Sequence, residues 1–437
     1  MIRGLIIAAP RSSSGKTVIT LGLLRALRAA GTRVAAAKAG PDYIDPTYLA
    51  AAAGALCRNL DPWAMRPATL AAQIDALRRE ADLALCEGVM GLFDGVGQGG
   101  AGSTADLAAL TGWPVILVVD AEGQGASIAA LVEGFARHRG DVEIAGVILN
   151  RVAGERHAAI LRDALTRALP AIRCLGAMPR AESLHLPSRH LGLVPAGERA
   201  DRDAFIAGAA ALVARYIDPA AVADLAQPAR LPQGATSAML PPLGRCIAVA
   251  RDDAFVFAYP AILGSWASAG ATLSYFSPLA DDAPAADCDA VYLSGGYPEL
   301  FAARLAGNRR FLGGLRRAAA QRAAIYGECG GYMVLGETLT DAEGQAHAMA
   351  GLLPVATSFA ARKLHLGYRQ IALAADTPLG HNGAAFRGHE FHYASILSEG
   401  EGAALFTGAD ADGRPRGALG RVAGTVMGSF VHLIDRA

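Results

Sequence analysis

Hydrophobic residues in the first half of the chain form short continuous runs, separated by longer stretches in which apolar positions recur every three or four residues. A short apolar run is typical of a strand buried on both faces, and the spaced pattern is typical of an amphipathic helix. The runs predict strands at residues 5–9, 34–37, 83–86, 115–120 and 144–150. Strands that alternate with helices indicate βαβ units around a parallel sheet.

The same alternation returns in the second half of the chain. Strands are predicted there at residues 247–250, 290–293 and 324–326. Residues 218–245, between the two halves, hold five prolines and no sustained periodicity, which is typical of an interdomain linker. We therefore predict an α/β protein with two parallel-sheet domains, residues 1–217 and 246–437, joined by that linker.

Composition and charge narrow the class of protein. The 437 residues include 40 basic and 40 acidic side chains, so no net field favours nucleic acid or an anionic membrane as partner. Hydrophobic residues make up 52%, but no apolar run reaches the roughly 20 residues of a membrane span, and the first residues lack the features of a secretory signal. We expect a soluble, cytoplasmic protein. Six scattered cysteines without a CxxC pair predict neither a disulfide framework nor a zinc site.

Residues 10–17, PRSSSGKT, follow the first strand and precede a helical pattern, which is the setting of a phosphate-binding loop. Pro10 occupies the position of the usual first glycine, and a tight turn capped by serine is the alternative interpretation. In the nucleotide interpretation Lys16 bridges the β- and γ-phosphates of ATP, and the Thr17 hydroxyl binds Mg²⁺. The candidate ATP-binding residues are Ser12, Ser13, Ser14, Gly15, Lys16, Thr17 and Asn150.

Further polar residues follow the predicted strands, at the sheet edge where open α/β proteins bind ligands. Asp42, Asp45 and Glu87 are carboxylates in such positions and are candidate Mg²⁺ ligands with Thr17. Asp94 ends a glycine-rich, apolar segment and is a further catalytic or metal candidate. Asn150 ends a strand, where its amide is expected either to recognise adenine or to cap the next helix.

In the second half, the strand at 324–326 enters GECGGYM, which places Cys329 between glycines on a sharp turn. This arrangement is typical of a nucleophile elbow, and the dipole of the following helix is expected to favour the thiolate. Gly296 and Gly330 are candidate oxyanion-hole donors, although a simple glycine turn also explains the first of them. His432 is the candidate base. The histidines of GHEFHY, residues 388–393, are assigned structural or substrate-lining roles.

A Cys–His site joined to a phosphate site predicts a division of labour. One end releases ammonia from glutamine, and the other uses ATP to convert a carboxylate into an acyl phosphate that ammonia can attack. Several uncommon strings then show what the chain resembles. These are SGKT (14–17), KAGPDYIDP (38–46), NLD (59–61), EGVMGLFDG (87–95), GSTA (102–105), RHLGL (189–193), GGYPE (295–299), GECGGY (327–332) and GHEFHY (388–393).

On these strings the chain resembles, nearly end to end, the a,c-diamide synthases of corrinoid biosynthesis, which act on cobyrinic or hydrogenobyrinic acid. The resemblance implies an N-terminal P-loop ATP-binding domain similar to dethiobiotin synthetase and a C-terminal class I glutamine amidotransferase domain. It implies two successive amidations, each consuming one ATP and one glutamine.

The resemblance also implies roles for individual residues. Cys329 forms the glutamyl thioester and His432 activates it, while Thr17, Glu87 and either Asp42 or Asp45 surround Mg²⁺. The residues expected at the substrate carboxylate or acyl phosphate are Lys38, Asp45 and Asp94. Class I amidotransferases carry Glu two residues after the histidine, and here that position is Ile434. Asp435 is a possible substitute, although on a strand it would point to the opposite face.

A polycarboxylate substrate needs local cations, and Arg189 with His190 are the candidates. The rival hypotheses are a cobyric acid synthase, which amidates other side chains of the ring, and a partition-type ATPase, which has no use for the Cys329 elbow. The sequence does not decide between a cobalt-free and a cobalt-containing ring, although the cobalt-free ring is preferred. A homodimer is only the commonest default for the oligomeric state.

Overall fold

The computed structural model of the protein describes residues 1–181, 184, 188–189, 192–193, 196–230 and 239–437. The chain forms two compact units. The first comprises Met1–Trp63 and Pro67–Thr236, and the second comprises Ala64–Arg66 and Ser237–Ala437. Among the described residues no helix combines the length and apolar character needed to cross a bilayer.

The first unit is built from alternating strands and helices. Its strands are β1 (Arg3–Ala8), β2 (Val34–Ala39), β3 (Arg58–Leu60), β4 (Leu83–Glu87), β5 (Val115–Asp120), β6 (Ile144–Val152), β7 (Arg173–Pro179), β8 (Ser188–Arg189), β9 (Gly192–Leu193) and β10 (Gln227–Pro228). Its helices are α1 (Lys16–Ala29), α2 (Asp45–Ala53), α3 (Pro67–Glu80), α4 (Thr104–Thr111), α5 (Ile128–His138), α6 (Glu155–Ala168), α7 (Arg202–Tyr216) and α8 (Pro219–Ala223), with a 3₁₀ turn at Ala196–Glu198.

The main sheet of this unit is parallel, with strand order β3-β2-β4-β1-β5-β6-β7. The strands predicted from the apolar runs are confirmed, and β2 and β5 are buried along their whole length. The strand order reverses beside β1, so the loops after β1, β2 and β4 meet at one edge. Open α/β sheets bind ligands at such an edge.

The segment predicted as a linker, residues 218–245, has regular structure in its first part. Pro219–Ala223 forms α8, whose N-terminus is capped by the Asp218 carboxylate accepting from the Ala220 N–H at 3.0 Å. Gln227–Pro228 then adds a short antiparallel strand to β1. Proline is tolerated at the first position of a helix, as in α8, and in a short strand at the end of a sheet, as in β10. A high proline content therefore does not exclude either element.

The second unit combines a parallel and an antiparallel half. Its strands are β11 (Cys246–Ala250), β12 (Thr272–Phe276), β13 (Ala290–Leu293), β14 (Ala324–Glu328), β15 (Thr338–Thr340), β16 (Ala346–Ala348), β17 (Val355–Ser358), β18 (His365–Leu373), β19 (Ala385–His392), β20 (Ser395–Glu399), β21 (Ala403–Asp410), β22 (Pro415–Ala423), β23 (Val426–Ser429) and β24 (Val431–Arg436). Its helices are α9 (Pro260–Ser268), α10 (Ala302–Gly307), α11 (Arg309–Ala320) and α12 (Gly330–Leu335), with 3₁₀ turns at Pro278–Ala280 and Pro298–Phe301.

The main sheet of the second unit has the order β12-β11-β13-β14-β23-β22-β21-β18-β19-β24. The first five strands are parallel and the rest antiparallel. A smaller sheet has the order β16-β15-β17-β20. The Leu433 N–H on β24 donates a hydrogen bond to Glu328 on β14, so these two strands come together although they are not neighbours in the strand order. The predicted α/β class is confirmed, with an antiparallel half that the sequence analysis did not identify.

Cys246 and Cys288 form a disulfide, contrary to the expectation from the sequence. Their Cα atoms are 4.6 Å apart although 42 residues separate them in the chain. Cys246 begins β11, and Cys288 precedes β13, the neighbouring parallel strand. A pairing made by strand adjacency leaves no local spacing signal, which is why the motif search did not find it.

The contact between Trp113 and Gly4 on β1 gives a stability prediction for the first unit. A Cβ at Gly4 would lie 2.7 Å from Cζ2 of the fully buried Trp113 ring. We expect Gly4→Ala to lower the free energy of unfolding of this unit by about 1–3 kcal/mol through overpacking. Gly134→Ala is the matched control: it lies in α5 with open space around it and should raise stability by up to about 1 kcal/mol. Urea unfolding measures both, and an unchanged midpoint for Gly4→Ala would contradict the prediction.

Candidate active sites

The predicted phosphate-binding loop connects β1 to α1. Two of its residues adopt left-handed backbone, Ser13 at φ 64° and Gly15 at φ 97°. Asn150 holds the loop, because its Nδ2 donates a 2.8 Å hydrogen bond to the Ser14 carbonyl oxygen. Asn150 is not a helix cap, since the N-cap of α6 is Gly154. The structure therefore excludes the helix cap, one of the two roles considered for Asn150, and shows that its side chain supports the loop.

A cavity of about 370 Å³ lies beside this loop. Polar groups and aliphatic side chains both line it, which is typical of small-molecule sites. The lining residues are Gly15, Val18, Asn150, Arg151, Met178, Pro179, Arg180, Ala181, Leu184 and Leu212. The cavity therefore has room for the base and sugar of a nucleotide whose phosphates lie at the loop.

Asp120 organises a pair of cations at the loop, and the sequence analysis did not identify this network. Its Oδ2 accepts from Arg11 Nη2 at 3.0 Å and from Arg151 Nη1 at 2.6 Å. Arg151 also donates from Nη2 to the Ser13 carbonyl oxygen at 2.8 Å. The signal available was Asp120 at the end of a predicted buried strand, where an acidic residue needs a partner.

Lys38 lies buried at the centre of a carboxylate cluster. Its Nζ is 2.6 Å from Asp45 Oδ2, 2.9 Å from Glu87 Oε1 and 3.7 Å from Asp42 Oδ2. The Thr17 hydroxyl donates to the same Glu87 oxygen at 2.7 Å. The structure thus brings together the residues that the sequence analysis assigned to metal and substrate on three separate segments.

The charges of this cluster do not cancel. Burial raises the pKa of Asp42 to about 7, with the neighbouring Asp45 charge adding to the effect. Burial also raises the pKa of Glu87, and Lys38 opposes that rise. For Lys38, burial alone would lower the pKa, but Asp45 and Glu87 raise it well above its ordinary value. Three carboxylates around one permanent ammonium leave negative charge to be neutralised.

The residues present fit Mg²⁺. Oε2 of Glu87 is buried and has no hydrogen-bond partner within the part of the chain that the structure describes. A hard divalent cation prefers carboxylate and hydroxyl oxygens, which Glu87, Asp42, Asp45 and Thr17 supply.

The glycine-rich segment after β4 returns to the phosphate loop. Lys16 Nζ donates a 2.6 Å hydrogen bond to the Met90 carbonyl oxygen, and Met90 has φ 49°. Asp94 Oδ2 accepts from the Gly91 N–H at 2.8 Å. Burial lowers the pKa of Lys16, while Glu87 and Asp94 oppose the effect. Asp94 thus lies close enough to the lysine to act on it electrostatically.

The candidate substrate-binding pair is not described in the same detail. His190 lies outside the described residues, and of Arg189 only the backbone, in β8, is described.

The turn at Cys329 has the strained geometry expected of a nucleophile elbow. Cys329 adopts φ 48° and ψ −102°, directly between β14 and α12. A Cβ at Gly331 would lie 2.7 Å from the Leu293 carbonyl carbon, so this turn requires glycine. The Cys329 N–H donates to the Ser429 carbonyl oxygen at 2.8 Å, which fixes the turn against β23.

The Gly296 nitrogen lies beside Gly330, as the predicted pair of oxyanion donors requires. A Cβ built on Gly330 would be 3.1 Å from that nitrogen. A Cβ on Gly296 would be 2.7 Å from the Ala254 carbonyl carbon, so the segment also needs glycine for close packing. The two explanations considered for Gly296 are therefore compatible.

Gly295 lies beside both His432 and Cys329. A Cβ at Gly295 would lie 3.2 Å from His432 Nε2 and 3.3 Å from the Cys329 Cβ, so the absence of a side chain leaves the space between thiol and imidazole open. Asp435 does not orient His432, because its carboxylate binds Arg66 through the backbone N–H at 2.9 Å and the guanidinium at 2.7 and 3.1 Å. The suggestion from the sequence that Asp435 replaces the missing glutamate is therefore wrong.

The Cys329 thiol is not the preformed thiolate that the helix dipole led us to expect. Burial raises the pKa of Cys329 far above its ordinary value, and the Glu299 charge adds to the rise. The Gly330 N–H acts in the opposite direction. Because α12 has only six residues, its dipole does not overcome the loss of solvation. The thiol is thus neutral at rest and needs a base.

The GHEFHY segment occupies β19 and forms a buried polar network. Glu390 Oε2 accepts from Arg369 Nε at 2.7 Å, and Glu390 Oε1 is 2.9 Å from His392 Nε2. The His392 ring stacks on Phe430 at 3.8 Å. Burial would raise the pKa of Glu390, but the contacts with His392 and Arg369 lower it to about 2. The Phe391 carbonyl oxygen is 3.9 Å from the Cys329 Sγ, so the segment also borders the thiol.

Comparison with known proteins gives two families and a set of full-length relatives. Residues 5–194 match the CobQ/CobB/MinD/ParA nucleotide binding domain, and residues 246–436 match the CobB/CobQ-like glutamine amidotransferase domain. The chain is 53% identical to a hydrogenobyrinate a,c-diamide synthase of Brucella anthropi, over 99% of both chains. It is 51% identical to that of Rhizobium meliloti over 99% of both, and 52% identical to that of Rhodobacter capsulatus over 99% of this chain and 98% of the relative.

Gly295→Ala tests the arrangement of thiol and imidazole. The added methyl group would occupy the space between them, so we expect the rate of Cys329 alkylation by iodoacetamide to fall by roughly tenfold or more. Gly264→Ala, in α9 with no atom within 4 Å of the added Cβ, is the control and should react like the wild type. Alkylation of Gly295→Ala at the wild-type rate would show that the two side chains do not act together.

Proposed function

Because this chain belongs to the hydrogenobyrinate a,c-diamide synthase family, we propose that it amidates the a- and c-side-chain carboxylates of hydrogenobyrinic acid, with ATP as the energy source and glutamine as the nitrogen donor. The observation that carries the proposal is the strained Cys329 turn facing His432, in a chain that also holds the Lys38 carboxylate cluster and phosphate loop. Cobyrinic acid, the cobalt-containing ring, is the alternative substrate. The relatives are named for the cobalt-free acid, which favours it as the substrate.

In the second unit the reaction releases ammonia. His432 Nε2 takes the proton of the Cys329 thiol as the sulfur attacks the glutamine amide carbon, and the developing oxyanion is stabilised by the N–H groups of Gly296 and Gly330. His432 returns the proton to the leaving nitrogen, which departs as ammonia and leaves a glutamyl thioester. Water then hydrolyses the thioester to glutamate and restores the thiol.

In the first unit a substrate carboxylate oxygen attacks the γ-phosphorus of ATP, which gives an acyl phosphate and ADP. Ammonia attacks the acyl carbon, phosphate leaves, and the amide forms after loss of a proton. Lys16 and Lys38 offset the negative charge of the phosphates and the carboxylate, and Asp45 and Asp94 orient the lysines. Mg²⁺ held by Thr17, Glu87 and Asp42 or Asp45 would supply charge neutralisation and in-line alignment of the phosphates.

We propose that the adenine base occupies the cavity beside the loop, which Asn150 lines. Arg189 and His190 remain the proposed contacts for further carboxylates of the ring. The cobyric acid synthase alternative differs in which side chains react, and product analysis of the amidated ring distinguishes the two.

Cys329→Ala tests the division of labour. Removing the nucleophile should lower glutamine-dependent amidation by roughly 10⁴-fold or more, because the thioester cannot form. Amidation with added ammonium chloride should continue near the wild-type rate, since the acyl phosphate chemistry is untouched. Mass spectrometry of the ring product from both nitrogen donors measures the two activities. Equal loss with both donors would contradict the proposal, and no loss with either would favour a partition-type ATPase.

Glu87→Gln tests the phosphate end. The change removes a charged metal ligand, so we expect amidation with ammonium or glutamine to fall by roughly 100-fold or more. Titration with Mg²⁺ should show a higher half-saturating concentration. Glu133→Gln is the matched control, because Glu133 lies on α5 and pairs with Arg137 of the same helix, and it should retain full activity. A wild-type Mg²⁺ dependence in Glu87→Gln would remove Glu87 from the metal site.

A further inference from the structure

Glu328, the last residue of β14, directly precedes the nucleophile and points away from solvent. Its side chain is 2% exposed, and its Oε2 lies 3.7 Å from His432 Nδ1. Oε2 also accepts the Tyr292 hydroxyl at 2.8 Å, and Oε1 accepts the Leu433 N–H at 3.0 Å. One carboxylate therefore binds the backbone of the strand that carries His432 and faces the ring itself.

The two ring nitrogens of His432 face different groups. Nδ1 is directed at Glu328, while Nε2 borders the open space at Gly295 that leads to Cys329. This is the orientation that a base needs, because a carboxylate at Nδ1 keeps the proton there and leaves the Nε2 lone pair for the thiol proton.

Two other acidic side chains near this part of the sheet have partners of their own. Asp435, three residues after His432, binds Arg66. Glu390 on β19 binds Arg369 and His392. Among the described residues, His432 is the basic side chain within 4 Å of the Glu328 carboxylate. Glu328 differs from both, because its carboxylate faces the imidazole of His432.

We propose that Glu328 is the positioning residue for His432, in place of the glutamate that class I amidotransferases carry two residues after the histidine. This role rests on the function proposed above. The 3.7 Å separation is an ion-pair distance rather than a hydrogen bond, and such contacts tighten when the imidazole gains a proton in the reacting complex. A buried imidazolium formed next to a carboxylate avoids the cost of an unpaired buried charge.

Glu328→Gln isolates this role from the packing of the strand. The amide keeps the shape of the side chain, and its oxygen must face the Leu433 N–H, which needs an acceptor. Its NH₂ group then takes the Oε2 position and faces Nδ1, which favours the tautomer with the proton on Nε2 and removes the base.

We expect kcat for glutamate release from glutamine to fall by roughly 100-fold or more in Glu328→Gln, with KM for glutamine changed by less than about threefold. Amidation with ammonium should stay at the wild-type rate, because that reaction takes place in the first unit. The nearly unchanged KM for glutamine reports that the second unit, which contains Glu328, is folded. Glu328→Asp retains the charge and should recover at least about a tenth of the wild-type kcat. Asp435→Asn, an equal change of charge on the strand that carries His432, should keep kcat within about threefold of the wild type.

The outcomes separate the two proposals. Wild-type kcat in Glu328→Gln, or an equal fall in Glu328→Gln and Asp435→Asn, would overturn the positioning role. A loss with both nitrogen donors that Glu328→Asp does not restore would overturn it as well, because it would show a purely structural contribution. Absence of glutamate release or of amidated ring from the wild-type enzyme would instead refute the proposed function.

Discussion

The burial of the Lys38 ammonium among carboxylates is the constraint on which the first unit depends. A buried charge is tolerated only when it is paired and hydrogen-bonded, and Asp45 and Glu87 supply those pairs. These contacts join β2, the start of α2 and the end of β4, and Thr17 extends them to α1. The carboxyl groups outnumber the Lys38 ammonium, and the raised pKa of Asp42, about 7, means that either a proton or a bound cation can offset the remaining charge.

In the second unit the buried reactive group, the Cys329 thiol, is neutral rather than charged. Cys329 is held neutral by burial, and a neutral thiol is a poor nucleophile. Charge therefore has to appear during the reaction, on the sulfur and on the imidazole together. In the proposed mechanism the proton passes between them through the open space at Gly295, and the N–H groups of Gly296 and Gly330 stabilise the oxyanion. A site of this kind reacts when glutamine places its carbonyl there, which limits reaction with other electrophiles.

Sequence patterns predicted the buried parallel strands and the strand–loop–helix turns, because both features depend on residues that are close together in the sequence. Cys329, His432 and Glu87 were identified from their positions at the ends of predicted strands, and Lys38 from the family resemblance. In the structure Lys38 contacts Glu87, and Gly295 lies beside both Cys329 and His432. The disulfide between Cys246 and Cys288 and the Asp435–Arg66 pair depend on residues distant in the chain, so no local pattern reveals them. The antiparallel half was missed because its strands are half-exposed and interrupted by glycine.

The two sites need different electrostatics because they handle nitrogen and oxygen in different states. Ammonia reacts only as the neutral molecule, so it is best released where buried groups exchange protons in pairs and no excess charge is available to protonate it. Activation of a carboxylate requires the approach of two anions, the acid and the γ-phosphate, and this demands fixed cations already held in place. The Cys329 site holds its buried charge as carboxylates, whereas the Lys38 site holds a buried ammonium. Two α/β units, each with a different kind of site at its strand ends, provide both environments.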